Sequence, residues 1–246
     1  MPATLIIGAT SAVAGAIARE CARRGERLFL IGRDGAKLAE LSRSLGASVV
    51  GSATGDFEDT ASNGRLAERA LAELGGLDSV FVVHGYLPDQ LETEVDFSAA
   101  AKAFAVNLTS VVSFLVPLAN HLAAQRSGAI VVVGSVAGDR GRPRNYTYGA
   151  AKGGLAIYLQ GLRSRLYREG VRVVTIKLGP VDTPMTATHR KNPLFAQVES
   201  VGRAIVEARS EGPTEAYVPR FWRPIMWLVR ALPEPVFQRL GALSGR

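Results

Sequence analysis

Thr4-Leu5-Ile6-Ile7-Gly8-Ala9-Thr10-Ser11-Ala12-Val13-Ala14-Gly15-Ala16-Ile17 opens on a short apolar run, a glycine, two hydroxyl residues and an alanine-rich stretch. Thr4 to Gly8 has the composition of a strand, and the stretch after it reads as a helix that stops at Arg23, Arg24 and Gly25, where basic residues precede a glycine. Arg27 to Gly32 is a second strand. Strand, glycine turn, helix, strand is a βαβ unit, and the N-terminus of its helix suits a pyrophosphate. Gly8, Thr10, Ser11 and Val13 are the candidate residues on that side. Thr10 and Ser11 could add hydroxyl donors to phosphate or simply cap the helix.

The same alternation continues outward. Ala36 to Leu45 reads as helix, Ser48 to Ser52 as strand and Ala61 to Leu74 as helix ending at Gly75-Gly76. Ser79 to Val83, Ala129 to Gly134 and Val171 to Leu178 are continuous apolar runs, the pattern of strands buried on both faces. Ala216 to Pro219 closes the set. The pattern predicts an α/β fold with a doubly wound parallel sheet of Rossmann type, as one domain over residues 1–219 with an amphipathic extension over 220–246.

A second stretch carries chemistry. Ala129 to Gly134 delivers Ser135 at a strand end, and a helix-like segment begins near Tyr148, so both face one mouth. Tyr148 and Lys152 are four residues apart and share a helix face. A free phenol has a pKa of about 10, and an adjacent ammonium pulls it down, which makes Tyr148 a candidate proton donor. Ser135 could hold a carbonyl oxygen while Tyr148 supplies the proton.

Ser135 followed by Tyr148-x-x-x-Lys152, behind a glycine turn, resembles the short-chain dehydrogenase/reductase family. The resemblance implies a catalytic set of Ser135, Tyr148, Lys152 and Asn107, the last from Phe104-Ala105-Val106-Asn107-Leu108, with Lys152 also binding the cofactor ribose. It implies a nicotinamide cofactor held by Gly8, Thr10, Ser11, Val13, Arg33, Asp56, Gly85, Tyr148, Lys152, Val181 and Thr183. Asp56 would meet the adenine amino group, or serve a turn. Val181 and Thr183, in Gly179-Pro180-Val181-Asp182-Thr183, would orient the nicotinamide carboxamide, or Thr183 would cap the next helix. Arg33 stands where NAD-preferring relatives carry an acidic residue and could grip a 2′-phosphate, although Asp34 beside it opposes one. NADP(H) is favoured and NAD(H) stays open.

The chain also departs from the family. Ala12 and Ala14 replace two loop glycines, and Val82-Val83-His84-Gly85 keeps only the glycine of the usual Asn-Asn-Ala-Gly. His84 could touch cofactor or substrate, or be a structural histidine. Pro184 to Phe195 is the expected substrate lid. Within the family, Gly141-Arg142-Pro143-Arg144-Asn145-Tyr146, Lys177 to Met185 and the C-terminal tail resemble decaprenylphosphoryl-2-keto-ribose reductase-like members. That implies reduction of a keto group on a polyprenyl-phosphate-linked sugar. Another apolar ketone, of a steroid or an acyl chain, and a non-catalytic nucleotide sensor are the alternatives.

Composition sets the limits. The 246 residues fit one large α/β domain, and a net charge of +7 suggests an anionic partner, with no nucleic-acid pattern to make that partner DNA or RNA. A single cysteine, Cys21, allows no intrachain disulfide and fits a reducing compartment. His84, His121 and His189 lie far apart, so no metal site is expected. No signal-type segment opens the chain, which predicts a cytoplasmic protein.

The tail from Arg220 to Leu240 holds both tryptophans. On helical spacing Ile225, Leu228, Val229 and Leu232 share a face, with Arg223 and Arg230 opposite and Trp227 on the flank. It is too short to span a bilayer but fits either an interfacial helix at an anionic membrane or a helix packed on protein. The apolar stripe Leu155, Tyr158, Leu159, Leu162 and Leu166 divides between core and a subunit seam, since the resemblance implies a homo-oligomer.

Overall fold

The computed structural model describes residues 1–186 and 193–240, so His189 and the middle of the expected lid lie outside it. In chain order the elements are β1 (Ala3–Ile7), α1 (Ala12–Arg23), β2 (Arg27–Gly32), α2 (Gly35–Leu45), β3 (Val49–Thr54), α3 (Thr60–Leu74), β4 (Ser79–Val82), α4 (Gln90–Val95), α5 (Phe97–Phe104), α6 (Ser110–Gln125), β5 (Ala129–Val133), α7 (Tyr146–Leu166), β6 (Arg172–Leu178), α8 (Val198–Ala208), β7 (Glu215–Val218), α9 (Trp222–Ala231) and α10 (Glu234–Arg239). The seven strands form one parallel sheet in the order β3-β2-β1-β4-β5-β6-β7. The doubly wound fold read from the sequence is the one observed.

Both faces of the sheet are covered, as parallel pairing requires. On one face Leu5, Phe29, Val80 and Ile130 pack against Phe114 and Leu118 of α6 and Leu155 and Leu159 of α7. On the other, Ile6, Leu30, Phe81 and Val131 pack against Ile17 of α1 and Ile205 of α8. Gly202 lets α8 press on α1, because a β-carbon there would lie 2.6 Å from that of Ala16. The strand order reverses between β1 and β4, so a crevice opens past their C-terminal ends. Their other ends are plugged by Glu26, which accepts from Thr4 at 2.6 Å and from both nitrogens of Arg209 at 2.8 and 2.9 Å.

Two sequence expectations need correcting. The helix carrying Tyr148 starts two residues earlier, at Tyr146. The tail presents its expected face only in part: Val229 is buried and Ile225 and Leu232 pack on the same cluster, but Trp222, Met226 and Phe237 join them against Val136, whereas Leu228 is exposed. Arg140 fixes it there, donating to the carbonyls of Val229 at 2.7 Å and Leu232 at 2.5 Å and to Glu234 at 2.7 Å, with its guanidinium 4.1 Å over the Phe237 ring. The run Phe97–Gln125 is apolar and long enough to cross a membrane by length and composition, but Val111, Phe114, Leu115, Leu118 and Leu122 within it are core residues.

Candidate active site

Gly8 has φ +86°, the left-handed region, and a β-carbon there would lie 2.5 Å from the His84 backbone nitrogen. That contact lets the turn after β1 sit against the end of β4. Ser11 caps α1, accepting from the Ala14 N–H at 3.2 Å, and so takes the capping role among its two alternatives. The N–H groups of Ala12 and Val13 have no partner among the described residues, and both residues line the cleft. Free donors at a helix N-terminus are what a pyrophosphate requires, so the turn fits a dinucleotide. Ala14 is fully buried and packs in the core, so its methyl does not narrow the cleft.

The cleft measures ≈ 1150 Å³ and lies over the C-terminal ends of β1, β4, β5 and β6. Thr10, Ser11, Val13, Gly85, Ser135, Tyr148, Lys152, Val181 and Thr183 all line it, so most of the residues singled out in the sequence converge. Arg33 and Asp56 are exposed and do not form its wall. Lys37, not singled out, does. Asp34 is occupied: it caps α2 by accepting from the Lys37 N–H at 3.1 Å and pairs with the Lys37 ammonium at 3.6 Å. Asp56 makes a turn, accepting from the Glu58 N–H at 3.0 Å, while Asp59 caps α3.

Three glycines bring Ser135 to Tyr148. Ser135 ends the loop after β5 in extended conformation and accepts from the Ala137 N–H at 3.1 Å, which starts a single tight turn over Val136–Asp139. A β-carbon on Gly138 would fall 2.7 Å from the Lys152 carbonyl carbon, and one on Gly149 would fall 2.8 Å from the Ala137 oxygen. Gly153 completes the contact, so the turn lies backbone to backbone on α7. The Ser135 hydroxyl and the Tyr148 phenol are thereby brought to the same side of the cleft.

The electrostatics differ from the sequence expectation. Burial pushes the Tyr148 phenol up to about 12, and the hydrogen bond with Ser135 is what opposes the rise. The Lys152 ammonium lies 5.8 Å from the Tyr148 ring centroid, donates to the Val133 carbonyl at 3.2 Å, and does not offset that burial. Burial brings Lys152 itself down to about 8. In this state the pair is a protonated phenol beside a weakened ammonium, so Tyr148 holds a proton to give.

Asn107 sits in a π-helical turn over Ala105–Thr109 and is completely buried. Its amide donates to the Tyr86 carbonyl at 2.7 Å and the Ala103 carbonyl at 2.9 Å, and its oxygen accepts from the Tyr86 N–H at 3.0 Å. It therefore clamps the loop that carries Gly85. His84 is buried, pairs with the Ser110 hydroxyl at 2.7 Å and packs on Phe57 with ring centroids 4.5 Å apart. Burial, then the charges of Lys152 and Arg33, lower it to about 3, so it is neutral. Thr183 directly precedes the short helical turn Pro184–Thr186, whose Thr186 hydroxyl donates to the Val181 carbonyl at 2.6 Å and accepts from the Thr183 N–H at 3.3 Å.

The tail also reaches this site. Trp222 lines the cleft and packs on Gly179, where any side chain would collide with the indole nitrogen. Arg142, Arg144 and Asn145 complete that end. No cluster of histidine, cysteine or carboxylate residues able to hold a metal occurs among the described residues.

Comparison with known proteins agrees with this geometry. The family pattern described as short chain dehydrogenase matches residues 2–194. An uncharacterized oxidoreductase of Mycobacterium tuberculosis is 33% identical over 239 residues, covering 96% of each chain. Cis-4-hydroxycyclohexanecarboxylate dehydrogenase of Sinomonas cyclohexanicum is 31% identical over 186 residues, 74% of each chain. Among solved structures, a short chain dehydrogenase of Burkholderia cenocepacia in complex with NADP superposes with a TM-score of 0.84 at 21% identity, covering 97% of each chain.

Proposed function

The chain belongs to the short chain dehydrogenase family and is an oxidoreductase, and from that premise we propose that it reduces a ketone to an alcohol with NADP(H). The observation that carries the reading is the convergence of Ser135, Tyr148 and buried Lys152 on one cleft with free helix N–H donors. The nucleotide, when bound, supplies the hydride. Ser135 holds the carbonyl oxygen, Tyr148 gives it a proton, and Lys152 binds the ribose side and supports the proton's replacement. Asn107 positions the Gly85 loop through its clamp on Tyr86.

Ala12 and Val13 N–H donors, with Gly8, Thr10 and Ser11 around them, receive the pyrophosphate. Thr183 and the Val181 main chain face the carboxamide. Asp56 spends one carboxylate oxygen on its turn and keeps the other for the adenine amino group. Arg33 is exposed beside an occupied Asp34, and Lys37 stands on the same side, which supports a 2′-phosphate and hence NADP(H) over NAD(H).

For the substrate, a keto-sugar on a polyprenyl phosphate draws support from the basic residues Arg142 and Arg144 at a mouth that also holds Leu194 and Met185. A cyclic keto acid draws support from the Sinomonas relative. The tail spends Trp222, Met226, Val229 and Phe237 on the protein, and lipid-surface contact draws its support from the exposed Phe221, Trp227, Leu228, Val236 and Leu240 beside Arg223 and Arg230. Exposed Val116 on α6 and Ile157 on α7 support a homo-oligomer paired through those helices. A cytoplasmic location accords with an enzyme fed by NADPH and with a buried free Cys21.

Tyr148→Phe tests the chemistry. The variant is expected to bind NADPH with unchanged affinity and to lose at least about 100-fold in NADPH oxidation with any accepted ketone. Undiminished turnover would remove the proton-donor role.

A further inference from the structure

A guanidinium in a protein interior is costly unless an anion or acceptors satisfy it. Arg142 is half-buried in the cleft wall, and its Nε has no partner. Among the described residues its guanidinium donates from Nη2 to the Met226 sulfur at 3.3 Å, a weak acceptor. Asp139, the carboxylate whose charge Arg142 feels, is spent elsewhere, accepting from Lys177 at 2.6 Å and Tyr217 at 2.7 Å. Asp89, which also lines the cleft, caps α4 by accepting from the Leu91 N–H at 2.9 Å.

Beside it stands a second unpaired donor. Trp222 is 7% exposed, and its indole Nε1 is buried with no partner. The Asn145 side-chain oxygen is likewise buried and unpaired, an amide that can turn either its oxygen or its NH₂ inward. Arg144 adds a second positive charge. Buried polar groups in native proteins are nearly always satisfied, and orphans gathered at one end of a cleft mark where a ligand supplies the partners.

We propose that Arg142 and Trp222, with Arg144 at the rim, form an oxyanion subsite that selects ketones carrying a carboxylate or a phosphate ester. The site holds the charged end of the substrate so that the carbonyl falls between Ser135 and Tyr148. The inference rests on the ketoreductase reading for its reaction, but binding can be read without turnover. Both sources of negative charge share the chemistry that Arg and an indole N–H recognise.

The test uses the full chain with NADP+ bound, so that no hydride can pass to the ketone, in a Trp227→Phe background so that Trp222 is the fluorescent reporter. Two matched pairs are titrated: 4-oxocyclohexanecarboxylate against its methyl ester, and dihydroxyacetone phosphate against dihydroxyacetone. The charged member of at least one pair is expected to bind about 30-fold more tightly, the size of one charged hydrogen-bonded contact. Arg142→Gln should erase that preference while leaving the neutral member unaffected, and Arg142→Lys should keep part of it. Which pair discriminates tells carboxylate from phosphate.

Equal binding of charged and neutral members in both pairs would overturn the subsite, as would a loss in Arg142→Gln that is the same for both members. Should Arg142→Gln fail to fold, the comparison in the unsubstituted chain decides alone. The two readings fail differently: a charge preference without NADPH oxidation by any ketone counts against the ketoreductase, whereas oxidation without a charge preference counts against the subsite.

Discussion

Gly138 and Gly153 meet backbone to backbone: a β-carbon on Gly138 would lie 2.8 Å from the Gly153 nitrogen, and one on Gly153 would lie 3.0 Å from the Gly138 oxygen. This contact seats the Ser135 turn on α7, so the hydroxyl reaches Tyr148 only while both positions lack a side chain. Gly138 does not line the cleft. Gly138→Ala is therefore expected to lower kcat/KM by about 100-fold, the scale of a misplacement of about 1 Å in a reacting group. NADPH affinity should hold, as nucleotide fluorescence would show beside initial rates.

Lys152 is a stability liability retained for its position. It is 3% exposed and its pKa falls from 10.5 to about 8, so the folded state carries a burial penalty on the ammonium below pH 8. Between about pH 8 and 10.5 the unfolded chain holds the extra proton, and stability contributed by this group rises with pH. Lys152→Met should stabilise the nucleotide-free protein by about 2 kcal/mol at pH 7 and flatten that rise, while abolishing turnover. Urea unfolding at pH 7 and pH 10 checks both signs.

His84 acts in the opposite pH range. Its folded pKa of about 3 lies below the ordinary 6.5, so as pH falls through 6.5 the unfolded chain takes a proton that the folded chain refuses. Stability should fall between pH 6.5 and pH 3, by on the order of 4 kcal/mol from this residue. His84→Asn, which keeps a polar atom toward Ser110, should show a shallower decline in thermal unfolding over that interval.

The proposed preference for NADPH is assigned to Arg33, with Lys37 on the same side. Asp34 is engaged as the cap of α2 and in its pair with the Lys37 ammonium, which leaves the exposed Arg33 as the cation for a 2′-phosphate. Arg33→Ala should raise KM for NADPH by about tenfold and leave KM for NADH nearly unchanged, since one exposed charge-assisted contact is worth roughly 1–2 kcal/mol. Equal rises for both nucleotides would assign Arg33 to the turn instead.

The strands were legible because a parallel sheet buried on both faces writes itself as uninterrupted apolar runs. Ser135, Tyr148 and Lys152 were legible because helix spacing and a strand end place them without knowledge of the core. The glycines that bring Ser135 to α7 were not, since nothing local distinguishes a glycine used for close approach from one in a loop. The short helices α4 and α5 went unread, although Asp89 and Asp96 stand as their caps. The tail's buried face was legible for Ile225, Val229 and Leu232 but not for Trp222 and Met226, because its partner, Arg140, lies 89 residues upstream of Val229, and that long-range packing selects them over Leu228. The phenol's upward shift was missed for a related reason: spacing gives neighbours, and burial depends on everything else.

Trp222 walls the cleft from a helix that Arg140 pins by its last carbonyls. During synthesis, the sheet and its nucleotide turn can assemble before this wall exists. A fusion placed after residue 219 would disturb that wall and leave the nucleotide turn untouched, so its effect is expected first in which ketone is accepted.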